Sequence, residues 1–242
     1  MSLVAVYRLD EEGNVTRNGA LGSEDALSVA SGTTGSAAAL LGNGLTASGA
    51  AASVSKTGGV QAALAAVRSF SVAAWVKYTG TPGTGTARIL LAAGLQQLQL
   101  TFPALTASFS GSITSSIGDF GTTSSGTTPN SLGGVGVWTL VTLTWDNPTH
   151  TAKIYVNDIL KATKIYTVAE DENLAEDVTF STDWTALTIA ARTNMIIDQV
   201  MIDDAVVDLA TVEAWYNGGA GLDPTAEEES PPAGGLLLLG IG

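Results

Sequence analysis

Cysteine is absent from this 242-residue chain, and only 10 lysines and arginines accompany 23 aspartates and glutamates. Without cysteine there can be no disulfide framework, no thiolate zinc site and no cysteine nucleophile. The formal net charge of −13 describes an acidic surface that repels phosphate backbones, so we expect no nucleic-acid partner. Any bound metal would have to use oxygen ligands.

Long apolar segments are also missing. No run of 18 apolar residues occurs, and the first ten residues carry no basic region ahead of an apolar stretch. We therefore expect neither membrane spanning nor Sec export. An apolar content of 45% excludes disorder throughout, and the length suits one large β domain or two small ones.

The sequence has the pattern of an all-β protein. Its 28 glycines are spread along the chain, which is typical of many short strands joined by turns. β-Branched and aromatic residues predict strands at 70–77, 138–145, 153–156, 187–190 and 196–202. The turn residues 146–150 predict a hairpin, and the Ser-, Thr- and Gly-rich segment 106–136 predicts short exposed strands and loops.

One short helix is expected near the end of the chain. Asp208 can cap a helix of about two turns over 209–216, and Gly218 can supply its left-handed stop. The Ala-rich segment 58–67 fits either a second short helix or an irregular loop. The acidic, proline-containing segment that begins at residue 223 predicts an extended linker, which divides the chain into a domain, 1–222, and a tail, 223–242.

Five segments follow one another in an order shared with a known family. Residues 69–77 are similar to its "sFTvsaWVk" strand, and residues 138–158 are similar to its "WhhvavtyD … lYvNG" hairpin, with Asp158 in place of glycine. Its opening strand, its "GNAL" segment and its closing "iDev … lYn.G" pattern are matched by residues 7–11, 41–45 and 197–219. The chain thus resembles the laminin-G-like, concanavalin-A-like jelly-roll family, in the single-domain form of bacterial and phage proteins. The resemblance implies a two-sheet antiparallel β-sandwich with one short C-terminal helix.

Asp198 is the most informative carboxylate of the sequence. On a strand it has the same parity as Ile196, Val200 and Ile202, so we expect it to point into an apolar layer. An unpaired charge there would cost several kcal/mol, so the carboxylate is expected to be buried and fully partnered.

Two kinds of partner for Asp198 are open. Backbone amides or an arginine such as Arg192 can satisfy it. Alternatively, Asp198 binds a structural calcium ion together with Asp10 and backbone carbonyls near Gly44, because hard cations take oxygen ligands. The acidic run 170–177 lacks the central glycine of a calcium loop and is expected to be a solvated face.

No catalytic constellation is apparent. The sole histidine, His150, lies in the hairpin turn, where we expect exposure to solvent rather than general-base work. The strands at 70–77 and 138–145 lack the acidic residues that glycosidases on related jelly rolls place two apart. We therefore expect a protein without enzymatic activity.

The tryptophans raise the question of sugar stacking. Three of the five are expected in the core: Trp75, Trp138 and Trp215. Trp184 is the candidate for an exposed glycan platform, with Asp183 and Asn194 as polar contacts, although anchoring of a loop in the core is an alternative for Trp184.

The end of the tail is apolar. Its five large aliphatic residues are Leu236, Leu237, Leu238, Leu239 and Ile241. They are too few to span a bilayer and too apolar to remain in water, so we expect them to anchor the chain to a protein partner. That partner would be a virion structural protein or another copy of this chain.

Three functional hypotheses follow from these features. The first is a non-enzymatic structural virion protein, a phage capsid-decoration or tail-associated component on the virion surface, with a lectin-like jelly roll for host or environmental glycans. The second is a free extracellular carbohydrate-binding or adhesion module. The third is an accessory domain of a glycoside hydrolase. The fold alone does not separate them, because jelly rolls carry all three functions.

Overall fold

Fifteen strands and one α-helix make up the part of the chain that the computed structural model describes, which is residues 3–20, 26–57, 69–84, 87–93, 96–115, 118–165 and 186–222. The first eight strands are β1 (Leu3–Tyr7), β2 (Ser28–Ser31), β3 (Thr34–Ala38), β4 (Asn43–Ala47), β5 (Ala51–Thr57), β6 (Phe70–Tyr78), β7 (Ala87–Ala93) and β8 (Gln96–Phe102). The others are β9 (Ser110–Ser115), β10 (Gly118–Ser124), β11 (Trp138–Asp146), β12 (Thr151–Val156), β13 (Ile159–Ile165), β14 (Ala186–Arg192) and β15 (Met195–Asp203). The helix α1 spans Leu209–Tyr216.

The strands form two antiparallel sheets. Sheet I has the order β13-β12-β11-β6-β15-β4-β3, with β1 also paired to β15. Sheet II has the order β10-β9-β8-β7-β14-β5-β2. The expected two-sheet sandwich is therefore confirmed, and each of the five predicted strands lies within a strand of the structure.

The inner faces of the two sheets share one apolar layer. On β7 and β8 of sheet II every second residue points into it, including Ile89, Leu91 and Leu100. Sheet I contributes residues such as Leu143 of β11. Gly111 of β9 lies so close to this leucine that a Cβ atom at position 111 would be 2.7 Å from Leu143 Cδ1.

The outer faces of the two sheets differ. Helix α1 covers the outer face of sheet I, where its Val212 and Trp215 pack in one cluster with Trp75, Leu140 and Met201. Strands β6 and β15 are consequently buried on both faces and read as nearly continuous apolar runs. In the described part of the chain no helix covers sheet II, and its central strands alternate between buried and partly exposed residues.

Helix α1 has the expected bounds, 209–216, and its left-handed stop begins one residue earlier than expected. Asp208 Oδ1 accepts a hydrogen bond from the Thr211 backbone N–H at 2.9 Å, which confirms the N-cap. The left-handed C-cap is Asn217, at φ 46°, followed by Gly218 at φ 62°. Asparagine tolerates this conformation because its short side chain can bond locally, and here its Nδ2 donates to the Gly221 carbonyl at 2.9 Å.

The tryptophan predictions are only partly confirmed. Trp75 and Trp215 are buried, together with the aliphatic residues Leu140, Leu143, Ile154 and Val200. Trp138 is half-buried instead, and the Lys77 ammonium lies 4.6 Å from the centre of its ring. The first position of β11 thus lies at the margin of the helix-side cluster, where a cation can cover the ring.

The remaining sequence predictions concern the segment 106–136 and three segments outside the described residues. Residues 106–136 form β9, β10 and a short 3-10 helix at Pro129–Leu132, in agreement with the expected short strands and loops. The possible helix at 58–67, the acidic run 170–177 and the tail 223–242 lie outside the described residues. None of the helices in the described ranges is long and apolar enough to cross a membrane.

Candidate functional site

A β-bulge decides where Asp198 points. The pairing of β15 with β6 slips between Asp198 and Met201, and Gln199 adopts a left-handed φ of 45°. Asp198 lies opposite Trp75 on the helix side of sheet I, whereas Val200 belongs to the inner layer between the sheets. The parity expected from the sequence is wrong beyond the bulge, for Ile202 as well as for Val200, because one extra residue inverts the alternation.

The partners of Asp198 are backbone amides. Its Oδ2 accepts hydrogen bonds from the N–H groups of Leu40 at 3.1 Å and Leu41 at 3.0 Å, and its side chain is fully buried. Arg192 is not a partner; it donates to the carbonyl of Phe102. The expectation of full partnering is wrong for Oδ1, which is buried without a hydrogen bond from the described residues.

Asp10, three residues beyond the end of β1, binds the same loop. Leu9, at φ 62°, turns the chain out of β1, and Asp10 Oδ1 then accepts the Asn43 N–H at 2.9 Å. Gly42 lies between these contacts with φ 90°, and a Cβ atom there would be 2.5 Å from Asp10 Oδ1. Glycine at position 42 is therefore required both by the conformation and by the close approach of the carboxylate.

Burial controls the protonation of Asp198. The pKa of its carboxyl is raised to about 7: removal from water is the largest cause, the Asp10 charge adds to the rise, and the N–H donors of Leu41 and Leu40 oppose it. A calcium ion would favour the ionised form. Asp198 Oδ1, which has no hydrogen-bond partner among the described residues, is available as one ligand of such a cation. Calcium takes 6–8 oxygens, however, and no group of three His, Cys, Asp or Glu side chains in the described ranges is placed to bind a metal. The calcium site at Asp10 and Asp198 stays a prediction.

The outer face of sheet II carries a second arrangement of polar groups. Strand registers place one row across it that consists of Ser31, Ser53, Ala190, Arg88, Thr101 and Ser110. A parallel row consists of Ser28, Ser55, Thr188, Leu90 and Gln99. We call these two rows the hydroxyl face; all of their side chains are half-buried or exposed. The face assembles donors and acceptors from six strands on one surface.

Hydrogen bonds orient the centre of the hydroxyl face. Arg88 Nη1 donates to Gln99 Oε1 at 2.5 Å, and Gln99 Nε2 donates to Thr101 Oγ1 at 2.7 Å. At the side of the face, the hydroxyls of Ser31 and Ser53 lie 2.9 Å apart. The amide of Gln99 is thus held between two neighbours, and a planar guanidinium, an amide and a hydroxyl lie side by side for a polar ligand.

The strands of sheet II are poor in acidic residues. Its seven strands contain three cations, Lys56, Arg88 and Arg192, and one acidic residue, Asp119 on the edge strand β10. The whole chain has a net charge of −13. The strands of sheet II thus have a net charge of +2, and those of sheet I, with four lysines and three aspartates, have +1.

The residues expected to bind glycans are placed differently. Asn194 is exposed in the turn between β14 and β15, at φ 61°, and its Nδ2 donates to the Thr81 carbonyl at 2.9 Å. This bond ties two loops together and gives Asn194 a local structural role. Trp184 and Asp183 lie outside the described residues, so the aromatic platform stays a prediction. His150 is half-buried rather than fully exposed, because its ring stacks on Trp145 with centroids 6.3 Å apart.

The hydroxyl face was not predicted from the sequence, although one strand carries a signal for it. Residues 97–102 alternate strictly between polar and apolar side chains, which is the pattern of a strand with one open face. The register of the neighbouring strands, which the sequence does not show, is what assembles the face.

An antiparallel sandwich with a helix over one sheet and an open polar face on the other belongs to the jelly-roll class of β proteins. The family model of the concanavalin A-like lectin/glucanases superfamily matches residues 46–213, and the chain belongs to this superfamily. The resemblance stated from the sequence motifs is thereby confirmed. Among curated protein sequences, none matches the chain.

Solved structures share the fold at low sequence identity. One is Domain 4 of AbnA, a GH43 extracellular arabinanase from Geobacillus stearothermophilus, in complex with arabinotriose: TM-score 0.63 and 17% identity over 88% of this chain and 97% of that domain. Another is the binding domain of botulinum neurotoxin DC in complex with SialylT, with TM-score 0.59 and 16% identity over 90% of this chain. The match covers 51% of the toxin domain, so this chain spans about half of its length. Identities this low show the fold alone.

Proposed function

We propose that this protein is a non-catalytic carbohydrate-binding domain and that the hydroxyl face of sheet II is its binding surface. The hydrogen-bonded group of Arg88, Gln99 and Thr101 on an open sheet face carries the proposal. Sugar hydroxyls are both donors and acceptors, and such a row of amide, hydroxyl and guanidinium groups complements them. The superfamily of the chain includes lectins, and its structural relatives include a domain solved with arabinotriose.

The distribution of carboxylates favours binding over hydrolysis. Most glycoside hydrolases use two carboxyl groups that flank the scissile bond about 5 to 10 Å apart. The described strands of sheet II contain a single acidic residue, Asp119, on an edge strand. Because the superfamily also includes glucanases, release of reducing ends from glucans and arabinan is the direct check, and we expect none.

Binding at this face should be of modest affinity. In the two described rows there is no aromatic ring for sugar stacking, and Leu90 is the largest apolar side chain. Hydrogen bonds formed in competition with water each contribute only about 0.5 to 1.5 kcal/mol. We therefore expect dissociation constants near the millimolar range for a single site.

A glycan array followed by titration calorimetry tests the proposal. The replacements Gln99→Ala and Thr101→Val should lower the affinity of any glycan that binds, because they remove the amide and the hydroxyl from the face. Thr163→Val is the matched control, since Thr163 is exposed on β13 of sheet I. Absence of binding to every glycan at millimolar concentration, or an equal loss in the control, would refute the proposal.

The finer assignment to a virion stays a prediction. It rests on the apolar tail segment 236–241 and its protein partner, and this segment lies outside the described residues. The comparisons offer no support for a virion role. The location on a virion surface and the alternative extracellular location likewise remain untested.

A further inference from the structure

We propose that the ligand of the hydroxyl face is an acidic glycan and that Arg88 binds the carboxylate of one of its sugars. This inference rests on the proposed function above and adds the chemical class of the ligand. It follows from the position of Arg88, from the orientation of its guanidinium and from the charge of sheet II.

Arg88 lies at the centre of the face. It belongs to β7, the fourth of the seven strands of sheet II, and points away from the inner layer because its neighbour Ile89 points into that layer. The residues directly beside it on the adjacent strands are Ala190 and Thr101, which are both small. A ligand that lies across the rows would therefore meet the guanidinium without steric hindrance.

The guanidinium is held in place by a neutral group. Nη1 donates to Gln99 Oε1 at 2.5 Å, and Gln99 is itself held by Thr101 at 2.7 Å. None of the described carboxylates forms an ion pair with Arg88. An arginine whose charge is oriented but not neutralised presents its remaining N–H groups as a planar fork, and a carboxylate accepts such a fork through two parallel hydrogen bonds.

The charge of the surrounding strands favours the same ligand. In a chain with 23 acidic residues, the described strands of sheet II retain one carboxylate, and it lies on the edge strand β10. The strands of sheet I contain three aspartates beside four lysines, so most of the acidic residues of the chain lie outside the strands. A carboxylated sugar at Arg88 would therefore meet a positive charge with no carboxylate on the neighbouring strands β8 and β14.

The experiment uses the full chain and pairs of glycans that differ only in charge. Uronic acid oligosaccharides and their methyl esters, together with sialylated and asialo glycans, form such pairs on one array. We expect each bound acidic member to bind about tenfold or more tightly than its neutral counterpart at low ionic strength. High salt should reduce this difference, because the pair lies at the surface. Sulfated glycans form a separate arm, since a sulfate also accepts hydrogen bonds from arginine.

Variants at Arg88 locate the effect. Arg88→Gln should abolish the preference for acidic glycans, and Arg88→Lys should restore only part of it, because lysine keeps the charge but lacks the planar fork. Lys161→Gln on β13 of sheet I changes the net charge equally and should keep the preference. Circular dichroism spectra should show that all three variants are folded.

The possible outcomes separate this inference from the proposed function. Equal binding of acidic and neutral members, a preference for sulfated over carboxylated glycans, or a preference that survives in Arg88→Gln would overturn the acidic-glycan inference and leave carbohydrate binding intact. Absence of binding to all glycans would overturn the proposed function itself.

Discussion

Asp10 and Asp198, which lie near opposite ends of the domain sequence, hold one loop between them. Asp10 Oδ1 accepts the N–H of Asn43 at 2.9 Å, and Asp198 Oδ2 accepts the N–H groups of Leu40 and Leu41 at 3.1 and 3.0 Å. Three N–H groups within the four residues 40–43 thus donate to two carboxylates that are remote in the sequence. All three N–H groups have their acceptors only when β15 and the segment that follows β1 are both in position.

Replacement of Asp198 tests how much this loop contributes to stability. Asp198→Ala leaves the N–H groups of Leu40 and Leu41 without their acceptor, so the free energy of unfolding should fall by about 1 to 3 kcal/mol. Asp198→Asn keeps one acceptor oxygen and should lose less. Urea denaturation measures both, with Asp158→Ala, at an exposed turn, as the control. An Asp198→Ala variant as stable as the parent protein would contradict this account.

The raised pKa of Asp198 predicts a pH dependence of stability. The carboxyl has a pKa of about 7 in the folded state and 3.8 as its ordinary value, so between these values the folded state holds a proton that the unfolded state has lost. The resulting stabilisation is fully present below about pH 4 and is lost as the pH rises through 7. Relative to Asp198→Asn, the parent protein should gain on the order of 2 to 3 kcal/mol from pH 8 to pH 5. A pH-independent difference between the two proteins would show that Asp198 has an ordinary pKa.

The calcium prediction has a simple thermal test. If calcium binds between Asp10 and Asp198, the melting temperature should fall in the presence of a chelator and return when calcium is added. The variant Asp198→Asn should show a smaller response, because it lacks the anionic ligand. An unchanged melting temperature in chelator would remove calcium from the description of this loop.

Gly111 tests the distance between the two sheets. A methyl group at this position would lie 2.7 Å from Cδ1 and 2.8 Å from Cδ2 of the buried Leu143, so Gly111→Ala should cost about 1 to 3 kcal/mol through overpacking. In a Leu143→Ala background the same methyl group enters the space that the leucine vacates. The cost of Gly111→Ala should therefore vanish or change sign there, as measured by a double-mutant cycle. Additive effects would indicate that the sheets do not meet at this pair.

The apolar tail is tested by truncation. Removal of residues 234–242 should leave the melting temperature of the domain unchanged, because the acidic linker separates the tail from the sandwich. The anchor residues Leu236, Leu237, Leu238, Leu239 and Ile241 would be lost, so incorporation into an assembly should weaken. A truncated protein that unfolds would instead place the tail within the domain, and one that assembles normally would exclude the anchor.

The amino-acid sequence by itself determined those features that depend on residues close together in the chain. Strands such as β6 and β11 were predictable because β-branched and aromatic residues favour a pleated, buried surface. The start of α1 was predictable because a capping bond joins residues only three positions apart, Asp208 and Thr211. The order of the family motifs also predicted the sandwich architecture, because each motif corresponds to a particular strand of that fold.

The tertiary structure alone decided which distant residues meet. The bulge at Gln199 turned Asp198 toward the helix side of sheet I, and its partners at Leu40 and Leu41 lie more than 150 positions earlier in the chain. The group formed by Arg88 and Gln99 likewise depends on the register of β7 against β8. Register and bulges are set by the packing of whole sheets, and a one-residue slip moves a side chain to the opposite face. The residues of one strand therefore contain too little information to show which face each of its side chains occupies.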